Sequence, residues 1–188
     1  MHKRYCGDNK TQMKRSNCIE TSRFFLRPLT VSDVTNTYLG WLDGAMAREH
    51  IVYAQSDKSL EDLKEYVSQK EGRHDILFLG IFVKKNGHHV GNIKYEPIDF
   101  KNRTAVMGIL IGSECWQGQG VAQEVIEASV DLLNKKFGIE RIELGVDARH
   151  KAAIKAYRKL GFEFGKTSLI KTAQGSRGMY KEHGRLSE

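Results

Sequence analysis

An α/β or α+β layered fold is predicted, with a mixed, mostly antiparallel central sheet and helices on both faces. Three observations predict it. Between residues 75 and 112, three apolar runs rich in strand formers follow one another across short turns. From Gln119 the apolar period switches to that of an amphipathic helix. After that helix, strand-like and helix-like segments alternate, as in layered folds.

The elements follow in order. "RFFLRPLT" (23–30) is a strand ending at Pro28. Thr30-x-x-Asp33 has the capping-box form, so a helix should start near Val31 and run to about Asp43. Ser59-x-x-Asp62 starts a second helix, with Leu60, Leu63 and Val67 on one stripe and an end near Gly72. "DILFLGIFVKK" (75–85) is a strand, and Asn86-Gly87 turns it into "HHVGNIKYEPID" (88–99). A turn at Lys101-Asn102 leads to "NRTAVMGILIG" (102–112), which completes a meander. From Gln119 to about Lys136, Ala122, Val125, Ile126, Ser129, Leu132 and Leu133 recur at helical spacing. "IERIELGVDA" (139–148) is a strand. "HKAAIKAYRKL" (150–160) is a shorter helix that Gly161 terminates. "FEFGKTSLIKT" (162–172) is expected as a long final strand, with another near Met179-Tyr180.

With 188 residues, 40% hydrophobic and 28% charged, the chain has the composition of one soluble globular domain. Residues 1–19 are polar and basic and are expected to be an extension; residues 20–188 form the domain. No apolar run approaches transmembrane length and no apolar leader segment is present, so no membrane partner and a cytoplasmic location are expected. The net charge of +7 is spread along the chain without a block of five basic residues, so nucleic acid is not the expected partner. Cys6, Cys18 and Cys115 are odd in number and lack metal spacing, which predicts a reduced protein without a metal. Cys115 reads as a small residue beside a turn rather than as a nucleophile. The oligomeric state is open, a homodimer included.

The junction "ECWQGQGVAQ" (114–123) places glycines where a strand hands over to a helix. The first amides of a helix lack intrahelical partners, and the helix dipole puts partial positive charge there. Gly118 and Gly120 permit positive φ and remove side chains that would hold an anion away. No acidic residue lies between Gln117 and Gln123. A P-loop would need Lys-Ser or Lys-Thr where Val121-Ala122 stands. A dinucleotide fingerprint would need a third small residue where Gln123 stands, and a parallel βαβ unit rather than a meander.

Gln117-Gly118-Gln119-Gly120-Val121-Ala122 resembles the Gln/Arg-x-x-Gly-x-Gly/Ala loop of the GNAT superfamily of acyl-CoA N-acyltransferases. "HKAAIKAYRKLGF" (150–162) resembles that family's Asn-x-x-Ala-x-x-x-Tyr-x-x-x-Gly-Phe segment, with His150 where asparagine is usual. The resemblance covers about Arg23 to Leu169. It implies acetyl-CoA as co-substrate and direct attack by a primary amine in a ternary complex. It implies cofactor contacts from Gln117, Gly118, Gln119, Gly120, Val121 and Ala122, from the backbone of Ile109, Leu110 and Ile111, and from His150, Ala153 and Tyr157. Lys151, Lys155, Arg158 and Lys159 flank Tyr157 and either meet the ribose phosphate or form a solvated face.

Tyr157 stands at the family's leaving-group acid position; by helical spacing alone it is also an aromatic on a buried stripe. Many relatives carry a base in a pattern such as Ala-Glu-Ile-Gly, and here Val106 takes that position. The base is then sought among Glu96, Tyr95, Asp147 and His150, with Glu96 the first choice, or in a water chain. Tyr38-x-x-Trp41 followed by Asp43 resembles a helix end of two subgroups: acetyltransferases of ribosomal-protein N-termini and of amino-sugar nucleotides. Tyr38, Trp41 and Tyr95 are therefore the expected acceptor contacts, although Trp41 also reads as core. The acceptor is expected to be an amino-sugar nucleotide or another small amine. A protein N-terminal α-amine is the alternative, and a non-catalytic acyl-CoA sensor is the reading from another class.

Overall fold

The computed structural model describes residues 18–43, 58–170 and 175–182. Among these, the strands are β1 (Ile19–Glu20), β2 (Phe24–Pro28), β3 (Leu77–Val83), β4 (His89–Asp99), β5 (Thr104–Ile111), β6 (Arg141–Asp147), β7 (Glu163–Phe164) and β8 (Ser176–Glu182). They form one sheet in the order β1-β2-β3-β4-β5-β6-β8-β7. All neighbours are antiparallel except β5 and β6. The helices are α1 (Asn36–Asp43), α2 (Leu60–Ser68), α3 (Val121–Phe137) and α4 (Lys151–Lys159).

Strand alternation sorts the sheet into two faces. Ala105, Met107, Ile109 and Ile111 of β5 turn to the face covered by α3 and α4, within a core that includes Phe24, Ile93, Tyr95, Val125, Leu133 and Phe162. Val106, Gly108 and Leu110 turn to the other face, where α1 and α2 bury Tyr38, Leu42, Leu63 and Val67 against Leu29 and Val34. The expected layering, with helices on both faces of a mostly antiparallel sheet, is what forms.

Three expectations change. The helix expected from Val31 is a single 3-10 turn, Val31–Asp33; the chain is extended at Val34 and re-enters helix at Asn36. The Thr30–Asp33 capping box does form, but Asp33 also receives Arg27, so the box closes a tight turn onto the sheet. The long final strand stops at Phe164. Beyond it, the amides of Ser168 and Leu169 donate to the buried carboxylate of Glu143, so they are not available to a β ladder. The full-length last strand is β8, around Met179 and Tyr180, paired along β6 from Ser176 to Glu182. Ile19–Glu20 adds an edge strand that begins at the last residue assigned to an extension; residues 1–17 lie outside the described residues.

Candidate active site

The parallel pair β5–β6 is laddered only over Thr104↔Arg141, Ala105↔Ile142 and Val106↔Glu143. Beyond Val106, β5 stays with β4 as far as Ile111↔Gly91, and β6 stays with β8 as far as Asp147↔Ser176. The two strands therefore part and leave a wedge in the middle of the sheet. Gly112 N–H donates to Val90 O, which sets the alternation: the N–H groups of Ile109 and Ile111 point away from β4, into the wedge. Gly108, although central in the sheet, is exposed on the α1–α2 face. Across the wedge, exposed Gly145 lies beneath Ile170. The two glycines leave an open floor.

At the head of the wedge sits the glycine loop. Gly118 and Gly120 both have positive φ, 71° and 75°, and Gly120 is the N-cap of α3. No side chain caps this helix, and its first main-chain bond of the i to i−4 type is Glu124 N–H to Gly120 O. The amides of Val121, Ala122 and Gln123 therefore have no partner within the helix. The loop from Gln117 to Gly120 is exposed. Gln117 Nε2 is tied back to Ile111 O at 3.0 Å, which joins the loop to the wedge.

Trp41 rests against the end of β5. A Cβ at Gly112 would lie 1.9 Å from the indole, so only glycine fits under it. The indole is held edge-on to His89 at 4.9 Å and tilted to Tyr38 at 5.4 Å. Burial lowers the His89 pKa, so that ring stays neutral in this apolar cluster. Trp41 is half-buried beside the wedge. Tyr38, expected at the acceptor, is instead buried in the α1–α2 core, because its helix turns that stripe inward.

Tyr95 is also corrected. It is fully buried on the α3 face, with its hydroxyl 2.7 Å from Ser129 Oγ, and desolvation raises its pKa well above the ordinary phenol range. It joins sheet to helix and reaches no acceptor. Glu96 lies elsewhere again. Lys70 Nζ and Lys94 Nζ hold its carboxylate at 2.8 Å and 2.6 Å. Burial works against its charge, but the two ammonium groups prevail and keep its pKa below the usual range. A carboxylate held in this way is a weak base. Lys94 also donates to Tyr66 Oη at 2.6 Å, and it pairs across the strands with Gly108 at the open floor. Burial works against Lys94 too; Tyr66 and Glu96 nonetheless raise its pKa.

Val106, where relatives were expected to carry a base, is half-buried and has Glu143 as its neighbour on β6. Glu143 is fully buried and takes hydrogen bonds from Arg141, from the Ser168 amide and hydroxyl, and from the Leu169 amide. Those donors outweigh its desolvation, lower its pKa and tie it to the 168–169 loop. Asp147 is occupied by Arg149 at 2.7 Å, and His150 is the N-cap residue of α4.

Tyr157 packs on the α3–α4 face, 5.9 Å from the Phe162 ring, beside half-buried Ala153. Its hydroxyl has no hydrogen-bond partner among the described residues, and burial pushes its pKa up to about 12. Lys151, Lys155, Arg158 and Lys159 are exposed around Ile154. Among the described residues, no group of three or more His, Cys, Asp and Glu side chains is placed to hold a metal, and no helix is long and apolar enough to cross a membrane. Most of the connection between α1 and α2, residues 44–57, lies outside the described residues.

Sequence reasoning missed the cluster of Tyr66, Lys70 and Lys94 around Glu96, and it missed buried Glu143. Lys70 and Glu96 are 26 residues apart, and no local pattern links them. It also missed the pair of Arg23 and Glu124, 101 residues apart, with Nε to Oε2 at 2.7 Å.

A family model described as an acetyltransferase (GNAT) domain matches residues 23–163. The L-amino acid N-acetyltransferase AaaT of Escherichia coli (strain K12) is 31% identical over 77 residues, 41% of this chain. The match spans 46% of that protein, about half its length. Among solved structures, the ribosomal L7/L12 α-N-protein acetyltransferase RimL in complex with coenzyme A superposes with a TM-score of 0.77 at 18% identity, covering 89% of this chain and 98% of that one. Spermidine N-acetyltransferase from Vibrio cholerae, in complex with CoA and spermine, gives 0.73 at 18% identity, covering 86% and 96%. At such identities these two likenesses show the fold.

Proposed function

Because the chain belongs to the acetyltransferase (GNAT) domain family, we propose that it transfers the acetyl group of acetyl-CoA to a primary amine. The wedge between β5 and β6 carries this reading. The pyrophosphate of the cofactor sits on the amides of Val121, Ala122 and Gln123, with Gly118 and Gly120 giving it room. The pantetheine arm runs into the wedge as a false strand beside Ile109, Leu110 and Ile111. The thioester oxygen takes an N–H from this row and is stabilised as it gains charge. The acceptor enters from the α1–α2 face over Gly108, and its neutral nitrogen attacks the thioester carbon. The C–N bond forms, the tetrahedral intermediate collapses, and the C–S bond breaks. Tyr157, on the opposite face, donates a hydrogen bond to the departing sulfur. Its raised pKa makes it a strong keeper of its proton, so it stabilises the thiolate and solvent completes the protonation. The amine loses its proton to solvent in the open cleft, since Glu96 and Glu143 are both committed to cations.

The acceptor we propose is a small amine that also carries an anionic group, such as an amino acid or an amino-sugar nucleotide. Lys70 and Lys94 face a single carboxylate, Glu96, beside the floor of the cleft, so this edge has a net positive charge. Such an edge disfavours a polyamine. The fragment match to an L-amino acid N-acetyltransferase supports the same class. A protein N-terminal α-amine is the second reading: with a pKa of about 8 it is partly neutral at cellular pH and needs no strong base. Thiol release from acetyl-CoA, measured with amino acids, amino-sugar nucleotides, N-terminal peptides and spermidine, tests the assignment. Turnover is expected with an anionic amine and little with spermidine. Tight cofactor binding without turnover of any amine would instead indicate a sensor.

A further inference from the structure

The loop read as the coenzyme A site lacks a cation of its own. From Ser113 to Gln123 there is no basic side chain, and Gln117, which stands at the Gln/Arg position of the loop pattern, is tied to Ile111 O. A pyrophosphate diester is doubly negative, and amides with a helix dipole neutralise only part of that charge.

A cation from far away in the chain lies beside this loop. Arg23, just before β2, places Nη2 3.8 Å from where a Cβ of Gly120 would be. Glu124, in the first turn of α3, takes the Arg23 backbone N–H at 2.8 Å and Nε at 2.7 Å. The guanidinium lies against Phe24 and Trp116, with centroid distances of 5.1 Å and 5.8 Å. These contacts fix the plane of the group. They leave both Nη groups without a hydrogen bond among the described residues, on a side chain that is 38% exposed. A guanidinium locked through Nε with its outer fork free is preorganised for a phosphate oxygen.

We propose that Arg23 is the cation that meets the cofactor pyrophosphate at the α3 N-terminus, with Glu124 as its positioning residue. This rests on the reading of the loop as the coenzyme A site. Glu124 would repel the anion if it stood alone; paired to Arg23 it becomes the brace that aims the charge.

The test compares three ligands on wild type, Arg23→Gln and Arg23→Lys by titration calorimetry or by competition against acetyl-CoA. Coenzyme A and dephospho-coenzyme A carry the pyrophosphate; pantetheine does not. Arg23→Gln should weaken both nucleotide ligands by about tenfold and leave pantetheine as it was, with Arg23→Lys in between. The ratio of the affinities does not depend on the fraction of protein folded, so a lowered melting temperature does not obscure it. Equal weakening of all three ligands would make Arg23 purely structural, and unchanged affinities would remove it from the site; either overturns the proposal. A wild-type protein that binds none of the three would overturn the cofactor reading itself, and this outcome is distinct from the other two.

Discussion

Arg27 holds Asp33 with two hydrogen bonds, 2.8 Å and 2.6 Å, and Thr30 adds its amide and hydroxyl to the same carboxylate. Burial opposes the Asp33 charge, but these donors lower its pKa to about 2. A carboxyl depressed in the folded state stabilises the fold above its unfolded pKa of about 3.9, and that stability is lost as pH falls toward the folded value. Asp33→Asn should therefore cost roughly 1–2 kcal/mol near neutrality, discounted for the solvent-screened arginine, and the cost should fade between about pH 4 and pH 2. Urea denaturation at several pH values measures it; a penalty independent of pH would exclude the charge as its source. Tyr157 makes the second prediction at this scale. Tyr157→Phe should lower kcat by roughly 10- to 100-fold with little change in KM for acetyl-CoA, as expected for a donor used mainly when the thiolate departs. A phenol at about 12 also stays protonated through the alkaline range, so the wild-type rate should show no loss centred near pH 10.

Among the elements, the segment after β7 shows how one buried side chain redirects a strand. Glu143 has no exposed surface and sits on the α1–α2 face of β6. Its charge can be buried only because Arg141 and the 168–169 backbone satisfy it. Glu143→Ala should cost about 1–3 kcal/mol, because the Ser168 and Leu169 amides lose their acceptor while Arg141 keeps Glu182. Amide hydrogen exchange at Ser168 and Leu169 should rise well above that at Met179 in β8. Equal protection of both segments in the variant would mean that the loop is held by something else. The α1–β5 contact is a related case: Trp41 lies against Gly112, and its helix is brought to the edge of the wedge by a residue with no side chain.

At the scale of the molecule, the sheet is nearly two sheets. Three residue pairs join β5 to β6, while β4–β5 and β6–β8 are each laddered over seven. A ligand filling the wedge should bind both halves together. At about 100 times its Kd, coenzyme A should add about 2.7 kcal/mol of stability. For a chain of this size that is a rise in Tm of roughly 5–10 °C. AMP, which has no arm to enter the wedge, should raise it much less; equal shifts would place the binding energy at the nucleotide alone. Much of this architecture was legible in advance, from Asn86-Gly87, from the change of apolar period at Gln119, and from glycines at a strand-to-helix junction. Those are local signals, set by backbone sterics and by which face of one element is apolar. They determined the meander, the amphipathic helix, the glycine turn at its N-terminus, and the two motifs by which the family could be named. The tertiary structure alone decided that Tyr95 and Tyr38 are core, that Glu96 is held between two lysines, and that residues 166–170 leave the sheet. It alone brought Arg23 to Gly120. Each of these depends on groups far apart in the chain, and hydrogen bonding and desolvation act through distance in space, which sequence spacing does not encode.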